Sequence, residues 1–135
     1  MDLSTIKHVD TNLSKTISDL KRLVSQPSIS AQRLGVTQCA EMVAEELTKA
    51  GLSARIMPTS DSDYPVVVGE TTGTAEKTLL FYNHYDVQPP DPLDEWDSPP
   101  FEPYEKNGFI SLGYNEKRLK VIGWINNKKN EAPVL

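Results

Sequence analysis

Cysteine is nearly absent from this 135-residue chain, where Cys39 stands alone. One thiol excludes an internal disulfide and any zinc cluster built on cysteines alone. No apolar run is long enough to span a bilayer, and no apolar signal core follows Met1. A cytoplasmic address without a membrane is therefore expected. Histidine is almost as scarce: His8 lies among polar residues ahead of the first helix and is read as solvated, which leaves His84. What remains is ordinary for a globular chain, 38% hydrophobic and 24% charged, enough for one domain at most.

The net charge of -5 is unevenly spread. Residues 1–105 hold 8 Lys+Arg and 17 Asp+Glu, a balance of -9, while residues 106–135 hold 6 basic and 2 acidic residues, a balance of +4. An acidic body argues against nucleic acid as a partner. The scattered positive charges of the last 30 residues read as a solvated terminal segment.

Leu13, Ile17, Leu20, Leu23 and Val24 recur at helical spacing and predict a helix over 10–24, capped by Asp10 or Thr11 and ended by Ser25-Gln26-Pro27. A second helix is expected over 37–50, with Cys39, Met42, Val43, Leu47 and Ala50 inward, Glu41, Glu45 and Lys49 outward, and Gly51 as its stop. On that stripe Cys39 reads as a small core residue rather than a nucleophile. Strands are predicted over 52–57, over 64–70 around Val66-Val67-Val68, and most strongly over 78–85, whose lack of alternation suggests cover on both faces. The order points to an α/β sandwich.

Chemistry concentrates where that last strand ends, in Leu79-Leu80-Phe81-Tyr82-Asn83-His84-Tyr85-Asp86-Val87-Gln88-Pro89. Side chains alternate along an extended chain, so His84 and Asp86 point the same way. A carboxylate there can hold one imidazole nitrogen while the other faces a metal ion. A carboxyl end of a buried strand is also where open α/β sheets carry their sites. Taken without its neighbours, His84 reads as a hydrogen-bonded core histidine, and Asp86 as a turn cap before Pro89. Six of the ten prolines then fall between Pro89 and Pro103. They forbid a central strand or helix and stiffen a loop, with Trp96 and Phe101 as its anchors. That loop is either a rigid surface element or a wall of the pocket that His84 faces.

His84-Tyr85-Asp86-Val87-Gln88-Pro89 followed by Trp96-Asp97-Ser98-Pro99-Pro100-Phe101-Glu102-Pro103 resembles the co-catalytic zinc peptidases, metallopeptidase family twenty. Carnosinase, the cytosolic dipeptidases, acetylornithine deacetylase and succinyl-diaminopimelate desuccinylase belong there. Val87-Gln88-Pro89 and the spacing to Trp96 are most similar to the dipeptidase branch. Gln26-Pro27-Ser28-Ile29-Ser30 between two helices also resembles the family's opening. The likeness covers about the first 105 to 110 residues. It implies the amino-terminal part of a zinc-peptidase α/β sandwich, two helices followed by strands of a mixed sheet. It also implies hydrolysis of dipeptides or N-acyl amino acids by water activated between two zinc ions, with manganese or cobalt as alternatives. In that reading His84 is a metal ligand, and Asp86 is the catalytic carboxylate that orients it and tunes the base. Trp96 and Phe101 line or anchor the pocket. Family members are often homodimeric, and the strand bearing the pair is central, flanked by strands from later sequence.

The family pattern stops after Lys106-Asn107-Gly108-Phe109-Ile110. The expected glycine-aspartate segment, Glu-Glu pair and final histidine do not follow, for no aspartate occurs after Asp97 and no histidine after His84. The adjacent Glu45 and Glu46 lie on the second helix instead. Zinc usually takes about three or four protein ligands. One histidine and one orienting carboxylate leave the dizinc site incomplete, so tight metal binding and activity by this chain alone are not expected. The reading divides the sequence into 1–105, the amino-terminal portion of a catalytic domain, and 106–135, a divergent basic tail. A truncated or frame-shifted gene and a short homologue with a new tail both fit that division. A non-catalytic remnant or interaction module is the alternative function.

Overall fold

The computed structural model describes residues 3–96, 98–106, 109–111 and 121–124. Most of the basic tail, and Asp97 within the tryptophan motif, lie outside the described residues. The chain divides into two units: Gln26–Pro89 is one, and the residues on either side of it make up the other.

In the flanking unit, helix α1 spans Leu3–Val24, about two turns earlier than the sequence suggests. Asp10 and Thr11 do not begin it. Thr11 Oγ1 instead donates back to the Lys7 carbonyl at 2.8 Å, and Asn12 Nδ2 donates to the His8 carbonyl at 2.8 Å. Residues that favour caps are here absorbed into the helix by bonding one turn back. Leu13, Ile17, Leu20, Leu23 and Val24 are half-buried, whereas Leu3, Ile6 and Val9 are exposed. The same unit holds an antiparallel meander of β-strands, numbered in chain order after the two strands of Gln26–Pro89: β3 (Tyr104–Lys106), β4 (Phe109–Ser111) and β5 (Val121–Trp124). Ile110 is fully buried there, and Lys21 of α1 pairs with Glu105 at 3.0 Å. Along the proline-rich loop, Trp96 Nε1 donates to the Pro90 carbonyl at 2.5 Å, and both Trp96 and Phe101 are half-buried.

In the Gln26–Pro89 unit, helix α2 (Val36–Lys49) packs on an antiparallel hairpin of β1 (Ser53–Met57) and β2 (Val66–Glu70). Arg55 stands opposite Val68 in the register. Its buried residues are Val36, Cys39 and Ala40, joined by Ile29 from the preceding segment. Met42, Val43 and Leu47 are half-buried and Ala50 is exposed, so the inward face sits one turn nearer the amino end than the periodicity suggests. Gly69 lacks the side chain that would meet Leu47 Cδ1 at 3.0 Å and Leu52 Cδ2 at 3.3 Å, which lets helix and hairpin approach. Two helices followed by antiparallel strands give the expected α/β order.

The predicted strand over 78–85 does not form. From Thr71 to Asp86 no residue joins a ladder, and Leu79, Leu80, Phe81 and Tyr82 are exposed. An apolar, β-prone run becomes a strand only when neighbours accept and donate its backbone hydrogen bonds. No described residue supplies them here. Pairing begins at Val87, through a single parallel bridge to Ile29.

Candidate metal centre

Ser28-Ile29-Ser30 forms a short strap closed on itself by reciprocal bonds between Ile29 and Leu34, Ile29 N–H to Leu34 O at 2.8 Å and Leu34 N–H to Ile29 O at 3.1 Å. Its far end is tied to the loop before β2. Tyr64 Oη donates to the Ser30 carbonyl at 2.9 Å, and Arg33 pairs with Asp61 at 2.9 Å and Asp63 at 2.5 Å. Gly35, with φ 71°, turns the chain into α2 at a point where a Cβ would lie 2.0 Å from the Pro27 carbonyl oxygen. Only glycine fits there.

Residues 85–87 are held against this strap. The Ser28 hydroxyl donates to the Tyr85 carbonyl at 2.7 Å, and the Val87 N–H donates to the Ser28 carbonyl at 2.9 Å. The Cys39 thiol reaches the same Tyr85 carbonyl at 3.6 Å, and the Tyr85 hydroxyl donates to the Pro65 carbonyl. Burial pushes the Cys39 thiol and the Tyr85 phenol above their ordinary values; a hydrogen bond with Ser28 partly offsets the rise at Cys39.

His84 and Asp86 lie on the same side, with Nδ1 of the imidazole 3.0 Å from Oδ1 of the carboxylate. The carboxylate accepts only, so Nδ1 carries a proton, and in the neutral imidazole Nε2 then presents a lone pair. Tyr82 Oη lies 3.5 Å from Nε2, its ring edge-on to the imidazole with centroids 5.5 Å apart. The His84 hydrogen bond, and then one from Ser30, hold the Asp86 carboxyl below the usual carboxylate range. The His84 side chain is 70% exposed and that of Asp86 34%, so the pair looks outward rather than into a packed interior.

His84 and Asp86 thus come together within Gln26–Pro89, whereas Trp96 and Phe101 belong to the other unit. Glu45 and Glu46 are engaged by Lys49 on α2, at 2.9 and 3.1 Å. Among the described residues, no three His, Cys, Asp or Glu side chains gather to hold a metal ion. One imidazole with its orienting carboxylate does not fit a whole zinc site, which needs about three or four protein ligands. Sequence reasoning missed Ser28 and Ser30. Their signal was present, since two hydroxyl residues flank Ile29 in an otherwise polar connection, but nothing local says which backbone they meet.

No family model matches the chain. The Cys-Gly metallodipeptidase of Schizosaccharomyces pombe is 32% identical over 134 residues, covering 87% of this chain and 28% of that protein. The succinyl-diaminopimelate desuccinylase of Variovorax paradoxus is 32% identical over 101 residues, covering 71% of this chain and 25% of its own length. An M20 family metallo-carboxypeptidase from Sulfolobus solfataricus superposes with a TM-score of 0.68 at 39% identity, over 72% of this chain and 22% of that one. The chain spans between a fifth and a third of the length of these relatives. Two helices, the hairpin after them and the His84–Asp86 pair occur in a sequence related over most of its length to three such enzymes, and the chain belongs to the M20 metallopeptidase family as a counterpart of its amino-terminal portion.

Proposed function

We propose that this chain carries the His84–Asp86 corner of a metal-dependent hydrolase acting on small amides, dipeptides or N-acyl amino acids. His84 offers Nε2 to the metal, and Asp86 is the carboxylate that fixes the imidazole and tunes the base. Trp96 and Phe101 serve as anchors of the proline-rich loop. Zinc is the proposed metal, two ions in a complete site, with manganese or cobalt as substitutes. The observation that supports this most directly is the 3.0 Å contact between Nδ1 and Oδ1, which commits one nitrogen to a carboxylate and leaves the other facing the Tyr82 hydroxyl at 3.5 Å, a contact a metal ion would replace. The names of the related enzymes point to the same substrate class. We further read residues 1–105 as the catalytic-domain portion and 106–135 as a divergent tail, in a cytoplasmic protein that forms homodimers.

With one ligand and one orienting carboxylate, the described residues offer zinc too few donors for tight binding. The chain alone is therefore expected to hydrolyse no member of a dipeptide panel supplied with zinc, manganese or cobalt. Calorimetric titration of the metal-free chain with zinc is the decisive measurement. Weak binding that disappears in His84→Ala supports the reading. Binding of equal strength in both proteins contradicts it and favours the second reading, a non-catalytic interaction module.

A further inference from the structure

Asp86 sits on a segment that has no ladder before it, yet its carboxylate meets the imidazole at hydrogen-bond distance. Something other than a sheet must hold it, and one residue touches the backbone on both sides of it. Ser28 is 3% exposed. Its hydroxyl donates to the carbonyl of Tyr85, just before Asp86, at 2.7 Å. Its own carbonyl receives the N–H of Val87, just after Asp86, at 2.9 Å. The two bonds span Asp86 like the prongs of a clip, and the strap that bears Ser28 is itself fixed by the Ile29–Leu34 pair, by Tyr64 and by the Arg33 ion pairs.

We propose that Ser28 is a positioning residue: by clamping the peptide groups on either side of Asp86 it aims the carboxylate at Nδ1 of His84, and so selects the imidazole tautomer whose Nε2 is unprotonated. The proposal rests on the reading that the pair is the functional centre, but it concerns a property of the chain without metal. Neither member of the pair is deeply buried, so packing does not fix their mutual orientation. The clip does so through the backbone, beside the hydrogen bond that Ser30 makes to the carboxylate itself. Removing the hydroxyl leaves the Tyr85 carbonyl without its 2.7 Å donor and frees one prong.

The test is the long-range proton–nitrogen correlation spectrum of the imidazoles in the nitrogen-15-labelled full chain. It is recorded at one fixed pH, about 8, well above the ordinary imidazole pKa of about 6.5. The His84 signal is assigned by its loss in His84→Ala. In the wild-type chain the Nδ1–H tautomer predominates at His84. In Ser28→Ala the signal moves towards the mixture shown by solvated His8, and in Ser28→Thr, which keeps the hydroxyl, it stays at the wild-type position. Ile29→Val trims the neighbouring buried side chain without touching the clip, and it leaves the tautomer unchanged while lowering stability. A wild-type His84 with the free-imidazole mixture overturns the proposal, and this holds even if Ser28→Ala does not fold. So does a Ser28→Ala spectrum like the wild type, or an Ile29→Val spectrum shifted as far as that of Ser28→Ala. Zinc binding that ignores His84→Ala would remove the metal-site reading and leave this result standing, so the two failures are separable.

Discussion

Cys39 and Tyr85 share one corner of the Gln26–Pro89 unit, where the thiol approaches the Tyr85 carbonyl at 3.6 Å. Burial raises both groups, so the folded chain holds their protons more tightly than the unfolded chain does. Their contribution to stability is complete below the ordinary thiol value of about 8.5 and declines as pH climbs through the raised values. Asp86 runs the opposite way. Its carboxyl is lowered chiefly by the His84 hydrogen bond, so its contribution is present above about pH 4 and lost as pH falls through the lowered value. Urea midpoints measured from acid to alkaline pH are expected to fall at both ends. Cys39→Ala should flatten the alkaline limb and Asp86→Asn the acid limb. Limbs unchanged in those variants would contradict the assignment. The same-side placement of His84 and Asp86 was legible in the sequence, because alternation is a property of any extended backbone. The clip at Ser28 was not, because its two bonds join residues 57 and 59 positions apart.

Helix α2 depends on glycine at both ends, for different reasons. Gly35 has φ 71° and the Pro27 carbonyl oxygen where a Cβ would go, whereas Gly51 has φ 87° and open space around it. Gly51→Ala is expected to cost about 1 kcal/mol, the conformational term alone. Gly35→Ala adds a backbone collision 2.0 Å away, which no side-chain rotation can relieve. The total should exceed that of Gly51→Ala by roughly 1–3 kcal/mol. Thermal or urea unfolding of the two variants checks the order, and equal losses would contradict it. The helices and the strands β1 and β2 were legible because their periodicity and stops are local, although Thr11 bonds within α1 instead of capping it. Residues 78–85 show the limit. Their composition favours a strand, but strand formation requires partners that sequence proximity does not provide.

For the whole molecule, the expected consequence of that unpaired run is association. Leu79, Leu80, Phe81 and Tyr82 are between 76% and 85% exposed, in a segment whose backbone groups have no ladder partner among the described residues. Consecutive exposed apolar residues outside any ladder invite pairing between chains. Sedimentation velocity is expected to show concentration-dependent association. Leu80→Lys combined with Phe81→Lys should reduce it by placing like charges in the contact. Association of the same extent in the double variant would point to another surface.

By itself the sequence determined the helices, the first two strands, the loop of prolines and the common direction of His84 and Asp86. Each follows from spacing of a few residues along one stretch of backbone. Tertiary structure decided whether the apolar run at 78–85 has neighbours, which side of α2 faces the hairpin, and what holds Asp86 in place. Those outcomes depend on hydrogen bonds and contacts between residues far apart in the chain, where no local pattern specifies the partner.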